Sequence, residues 1–127
     1  MNIKKIFLLI NIFLFIYFAF QLLVFTDEFA ISNIGFFNHA VAGLAEIIGI
    51  IFLSFSIALI VIIFKGIEKQ FPFFLCIFLI QFIIGLNLWR YVFTNSPGET
   101  SLEAIFFNAI LFSTASIFSL YILVKSK

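Results

Sequence analysis

Charged residues are scarce in this sequence, and their scarcity excludes a water-soluble fold. They make up 10% of the 127 residues, whereas soluble domains contain about 25%. A soluble domain of this length could not bury a chain that is 65% hydrophobic. The net charge of +1, with no basic patch outside the ends of the apolar segments, also argues against a nucleic-acid partner.

Cysteine and histidine are scarce as well. Cys76 is the only cysteine, which excludes an intramolecular disulfide, a CxxC redox pair and a thiolate metal cage. His39 is the only histidine, and its spacing to Glu46 differs from the i, i+4 pairing of zinc-binding helices. The sequence contains no glycine-rich phosphate loop and no nucleophile–base arrangement. We therefore expect no metal or other cofactor, and no pattern favours an enzyme.

Long apolar segments dominate what remains. A membrane-spanning helix needs roughly 20 apolar residues, and four segments meet this requirement, at about residues 6–25, 36–64, 71–94 and 101–124. Pro72 falls in the first turn of the third segment, where its missing N–H costs nothing. The pattern predicts a single domain over residues 1–127, an all-α integral membrane four-helix bundle.

The connections between these segments are short and polar. Residues 26–35 include acidic residues, Asn33 and Gly35, which is typical of a loop. Residues 65–70 form a second, charged loop. Thr100 followed by Glu103 fits a capping box at the start of the fourth helix.

The lysines predict the orientation of the bundle. All of them fall at the two termini or in the loop at 65–70, and the opposite connections contain acidic residues but no lysine. Because cytoplasmic loops carry an excess of Lys and Arg, we expect both termini and residues 65–70 on the cytoplasmic side of a bacterial inner membrane. Arg90 is the one cation toward the outer end.

Polar residues inside the predicted helices are the candidate site. An ionisable side chain within the bilayer costs about 2.5–3.5 kcal/mol and usually faces the bundle with a partner. The helical spacing of His39, Gly43 and Glu46 places them on one face, and Asn87, Arg90 and Thr94 form a stripe on the next helix. All four helices place polar groups in the same outer half, and the candidate residues are Glu46, Arg90, Asn87, Asn108, His39 and Gln21.

Two interpretations of this group remain open. Glu46 and Arg90 can form a buried ion pair that fixes helix register, with the asparagines hydrogen-bonding across the bundle. Alternatively, the group lines a small pocket or proton-accessible cavity that opens outward. Asn11 and Gln81 are interpreted as isolated structural residues, and Ala45-xxx-Gly49 as a small-residue face for close helix packing.

The order of motifs resembles a bacterial four-helix family of unknown function that is related to the DoxX-like membrane proteins. The first helix ends in LLVFTDEFA, the second contains AVAGLAEIIGIIFL, and the third ends in GLNLWRYVFTNSPGE, similar to that family's Gly-x-x-x-Arg segment before an outer turn. Family members often carry Arg near the start of the second helix, where this chain has His39. The resemblance implies a compact four-helix bundle and no particular activity.

Three functions are compatible with these patterns. The first, which the patterns favour, is a non-enzymatic accessory or interaction protein of the cytoplasmic membrane, with a membrane protein partner or a homo-oligomer; the other two are alternatives. The second is a binder or carrier of a small lipophilic or protonatable ligand in the outer-half polar pocket. The third is a quinone-linked redox subunit.

Overall fold

The structure, a computed structural model, describes residues 2–94 and 100–126. Every regular element in these ranges is a helix. The helices are α1 (Ile3–Leu23), α2 (Thr26–Asn33), α3 (His39–Lys65), α4 (Phe71–Thr94) and α5 (Leu102–Lys125). By length and composition, α1, α3, α4 and α5 are able to cross a membrane, so the predicted set of four apolar helices is confirmed.

Helix α2 was not predicted, because residues 26–35 were interpreted as a loop. The acidic side chains of Asp27 and Glu28 lie in its first turn, where they interact favourably with the positive end of the helix dipole. Ala30 is fully buried, which anchors the helix to the bundle. Gly35 ends it at φ 100°, in the left-handed region that glycine adopts freely, and its N–H donates to the Ala30 carbonyl at 2.9 Å.

Two helix starts differ from the predicted ones. Helix α3 begins at His39 rather than near residue 36, because the Asn38 side chain caps it by accepting from the Val41 N–H at 2.9 Å. At α5 the N-cap is Ser101, whose Oγ accepts from the Ala104 N–H at 3.2 Å. The expected capping box at Thr100 is therefore wrong by one residue.

The spanning helices pack in the spatial order α3, α1, α5, α4. Helix α1 lies between α3 and α5, and α4 packs against α5. Phe18, Phe52 and Phe112 come from three different helices and fill the centre of the bundle, with ring centroids of Phe18 and Phe112 4.5 Å apart. Helices α3 and α4 do not pack side by side, although the rings of Phe55 and Phe73 approach each other to 6.3 Å.

The close approach of α3 to α1 depends on small residues, as predicted. Ala45 and Gly49 are both buried on α3, and Gly49 meets the last turn of α1. A Cβ at Gly49 would lie 2.8 Å from Leu23 Cγ and 3.0 Å from Leu22 Cβ. Because such distances are below normal van der Waals contact, only glycine fits at this separation of the two helices.

Asn11 and Gln81 were interpreted as isolated, but they belong to one buried network. Gln81 Nε2 donates to Asn11 Oδ1 at 2.7 Å, and Ser119 Oγ contacts the side-chain oxygens of both residues. The three residues lie on α4, α1 and α5 and are at most 3% exposed. The long Gln81 side chain therefore connects α4 to α1, which do not pack directly.

The chain reverses direction so that the bundle has two distinct ends. We call the first the α2 end; it carries the C-termini of α1 and α4, the N-termini of α3 and α5, and α2 itself. The opposite end, which we call the lysine end, carries the start of α1, the end of α5 and the connection between α3 and α4. A cavity of about 390 Å³ at the lysine end is lined in part by Lys4, Lys5 and Lys65.

Candidate functional site

A cavity of about 300 Å³ lies at the α2 end, and we call it the α2 pocket. Three helices form its wall. Helices α1, α2 and α5, with the connection between α1 and α2, contribute Tyr17, Gln21, Phe25, Glu28, Phe29, Ser32, Asn33, Ala104, Phe107 and Asn108. Most of these side chains are either aromatic or capable of hydrogen bonding, so the pocket combines apolar walls with several polar groups.

Helix α1 contributes a pair of polar side chains one turn apart. Gln21 Nε2 donates to the Tyr17 hydroxyl oxygen at 2.8 Å, the i, i+4 contact that a helix face allows. The donor uses one of its two amide hydrogens, and the amide oxygen of Gln21 is an additional acceptor. This pair can thus both donate to a ligand and accept from it.

The opposite wall is an asparagine pair that joins α5 to α2. Asn108 Nδ2 donates to Asn33 Oδ1 at 2.8 Å, and Asn33 Nδ2 donates to the Phe29 carbonyl at 3.1 Å. A backbone hydrogen bond of 2.9 Å from the Ser101 N–H to the Ser32 carbonyl also connects the N-cap of α5 to α2. Asn108 is 5% exposed, so its orientation is fixed by the surrounding structure.

The charge of the α2 pocket has one sign. Glu28 contributes an exposed carboxylate, and none of the lining residues is Lys or Arg. The rings of Phe25, Phe29 and Phe107 supply apolar surface beside it. This arrangement suits a small molecule that donates hydrogen bonds or carries a positive charge and also has an apolar portion.

The six predicted site residues divide into two groups. Gln21 and Asn108 line the α2 pocket, as the pocket interpretation requires. The other four are exposed on the outer surfaces of α3 and α4 and do not line it; they are His39, Glu46, Asn87 and Arg90.

The expected ion pair does not form within one chain. In the described residues, no salt bridge connects Glu46 to Arg90. Their helices, α3 and α4, do not pack against each other. The Arg90 guanidinium carbon lies 5.2 Å from the centre of the Tyr91 ring instead. The predicted stripes are real, since His39 and Glu46 share one face of α3, but that face points outward.

The reason lies in the position of the residues that make the helix contacts. Ala45 and Gly49 lie on the buried face of α3, and Glu46 is about 100° from Ala45 and about 60° from Gly49 around the helix. In the same way Gly85 faces α5, where a Cβ would lie 3.5 Å from Ser113 Oγ, and Arg90 is five residues further on. Spacing within one helix identifies residues that share a face but does not establish which face is buried.

Sequence reasoning missed four polar members of the pocket, namely Tyr17, Glu28, Ser32 and Asn33. Three of them lie on α2, which had been interpreted as a loop. The signal that could have found them is the acidic first turn after Thr26, since Asp27 and Glu28 favour a helix start. In the part of the chain that the structure describes, no three His, Cys, Asp or Glu residues converge as a metal-binding group.

Comparison with known proteins returns no relative. No family model, curated protein or solved structure matches the chain. The function is therefore argued from the geometry of the site.

Proposed function

We propose that this protein is a multi-pass protein of the cytoplasmic membrane that binds a small ligand reversibly in the α2 pocket. Four helices long and apolar enough to span a bilayer support the membrane location. The observation that carries the ligand-binding function is the cavity of about 300 Å³ in which Gln21 and Asn108 converge with the polar residues of α2. Of the three functions that the sequence allowed, this geometry favours the binder or carrier.

The chemistry of the lining indicates the class of ligand. A volume of about 300 Å³ is at the lower end of the range for small-molecule sites. The Glu28 carboxylate and the side-chain oxygens of Gln21 and Tyr17 can accept hydrogen bonds from a protonated amine or a hydroxyl group. Phe25 and Phe29 can cover a short apolar portion. We therefore expect a small amphipathic molecule, neutral or cationic.

Native mass spectrometry of the full chain from a mild detergent tests this proposal. The wild-type protein should retain a bound species, and Asn108→Leu should lose it. This change removes the amide that donates to Asn33 Oδ1, and the leucine side chain fills part of the cavity. Asn87→Leu is the matched control, since Asn87 is exposed on α4 outside the pocket. Gln21→Leu, which removes only a hydrogen bond to Tyr17, tests the opposite wall with less effect on folding.

Retention of the same species by wild type, Asn108→Leu and Gln21→Leu would contradict a site in the α2 pocket. The identity of a retained species also separates the alternatives. A quinone lost from both pocket variants would favour the quinone-linked redox subunit. That function and the resemblance to DoxX-like proteins stay predictions, and the ligand-binding proposal does not depend on either.

The accessory or interaction protein is the second candidate function. The observation that favours it is the exposure of Glu46 and Arg90 on helices long and apolar enough to span a membrane. Neither charge has a salt-bridge partner among the described residues, and charges at such positions need one, which a neighbouring membrane protein can supply.

A further inference from the structure

Glu46 and Arg90 are the only charged residues within the apolar stretches of α3 and α4, away from the helix ends. Both side chains are exposed in the single chain. Within a membrane they would face lipid, at a cost of about 2.5–3.5 kcal/mol for each charge on insertion scales. Ionisable residues in spanning helices normally have a partner of opposite charge, and among residues 2–94 and 100–126 neither of the two has one.

The two charges lie at matching depth. Glu46 is six residues from Phe52, the middle residue of α3, and therefore about 9 Å from the helix centre toward the α2 end. Arg90 lies about 11 Å from the centre of α4 toward the same end. A difference of about 2 Å is well within the reach of an arginine side chain, so the two charges can meet when the helices lie side by side.

Each charge belongs to an exposed apolar seam. The spacing alternates between three and four residues, which is the repeat that lets two helices pack along their length. On α3 the seam is Glu46, Ile50, Leu53, Ile57, Ile60 and Phe64; on α4 it is Cys76, Leu79, Ile83, Leu86, Arg90 and Phe93. Every member of both seams is exposed, and each seam contains one charged residue, of opposite sign.

The α4 seam also carries a concave surface. A groove of about 500 Å³ runs along it and is lined mainly by apolar residues between Pro72 and Ile84. When the centres of α3 and α4 lie at the same depth in the membrane, this groove is level with α3 residues of about 51–62. These residues include Leu53, Ile57 and Ile60 of the α3 seam. The side chains that a neighbouring α3 would insert are therefore apolar where the groove is apolar.

We propose that a second copy of this chain is the partner, and that Glu46 of one copy pairs with Arg90 of the other. Helix α3 runs away from the α2 end and α4 returns to it, so two copies with the same orientation in one membrane bring α3 and α4 together antiparallel. That arrangement places the acid of one seam against the base of the other. The pairing expected within one chain is formed between copies. This proposal is independent of ligand binding in the α2 pocket.

Energy transfer between copies in liposomes tests the proposal, with full-length chains that carry donor or acceptor fluorescent proteins at the C-terminus. Wild-type copies should associate at low protein-to-lipid ratios. Glu46→Arg alone and Arg90→Glu alone should each weaken self-association by at least about tenfold, because each places like charges face to face. Glu103→Arg, a charge reversal at an exposed site of α5 outside both seams, should leave association unchanged.

The decisive experiment mixes the two charge-reversal variants, Glu46→Arg and Arg90→Glu. A donor-labelled Glu46→Arg chain and an acceptor-labelled Arg90→Glu chain restore an acid–base pair at every contact between them, so energy transfer should return to the wild-type level. A pair within one chain would be restored by the double variant but not by the mixture. Failure of the mixture to recover association would overturn the proposal.

Neutral variants guard against misfolding of the charge reversals. Glu46→Gln and Arg90→Met should each reduce association. Mixing them should restore it in part, because Glu46 of the Arg90→Met chain can pair with Arg90 of the Glu46→Gln chain, whereas the reciprocal contact has no charge pair. A wild-type chain that stays monomeric at every protein-to-lipid ratio would also overturn the proposal, and Glu46 and Arg90 would then mark the docking surface of a different membrane protein.

Discussion

Individual polar residues in this molecule differ mainly in whether the fold supplies them with a partner. Asn11, Gln81 and Ser119 are buried and satisfy one another across three helices. Asn33 and Asn108 do the same at the α2 end. Among the described residues no buried side-chain nitrogen or oxygen lacks a hydrogen-bond partner. A network of this kind fixes the register of helices that lipid alone would leave free to slide.

Gln81→Leu should therefore destabilise the bundle. The substitution removes the hydrogen bond that connects α4 to α1 and deprives Asn11 Oδ1 of a donor. Interhelical hydrogen bonds in membranes contribute about 0.6 kcal/mol on average and up to about 1.7, and we expect a loss of about 1–2 kcal/mol. Unfolding in mixed micelles of increasing denaturing detergent measures it. Asn87→Leu, an exposed position on the same helix, is the control, and equal midpoints for the two variants would show that the network is dispensable.

At the scale of the elements, the spanning helices could be predicted because their apolar length is set by the thickness of the bilayer. The α4 bounds, Phe71–Thr94, agree with the expected ones. Helix α2 could not be predicted in this way, since it has only eight residues and its stability comes from Ala30 packing against the bundle. Gln21 and Asn108 line one cavity at the α2 end, as their depths along the helices indicate, whereas the positions of Glu46 and Arg90 also depend on which face of each helix is buried.

The contact between α1 and α3 predicts opposite effects for two glycines of the same helix. A Cβ at Gly49 would lie 2.8 Å from Leu23 Cγ, whereas a Cβ at Gly43 would have nothing within 4 Å. Gly43→Ala should be neutral or stabilising, because alanine is favoured over glycine in a helix by about 1 kcal/mol. Gly49→Ala should destabilise by about 1 kcal/mol, since overpacking costs about 1–3 kcal/mol and exceeds that gain. Detergent unfolding midpoints that rise for both variants would contradict the close contact.

The whole molecule is electrically asymmetric. Lys4, Lys5 and Lys65 line the cavity at the lysine end together with Glu68, whereas acidic side chains lie at the α2 end, on α2 and in the first turn of α5. The α2 pocket therefore opens at the acidic end of the bundle. If cytoplasmic loops carry the cations, a ligand of the proposed kind would enter this pocket from the non-cytoplasmic side of the membrane.

This asymmetry leads to a prediction about orientation in the membrane. In a Cys76→Ala background, a cysteine in place of Phe36 tests the α2 end, and a cysteine in place of Glu68 tests the lysine end; both positions are exposed and neither change removes a cation. A membrane-impermeant maleimide is added to cells whose outer envelope is permeabilised and whose inner membrane is intact. It should label Phe36→Cys, because positively charged short loops stay on the cytoplasmic side and the α2 end then lies on the opposite side.

Glu68→Cys should react with the same reagent only after the inner membrane is opened. Labelling of both variants in intact cells would indicate mixed insertion, and the reverse pattern would place the α2 pocket on the cytoplasmic side. A ligand would then enter the pocket from the cytoplasm. The orientation of the bundle thus determines from which side a ligand enters, and the geometry of the pocket is the same in both orientations. Association between copies through Glu46 and Arg90 requires only that all copies share one orientation, which uniform labelling of Phe36→Cys from one side would establish.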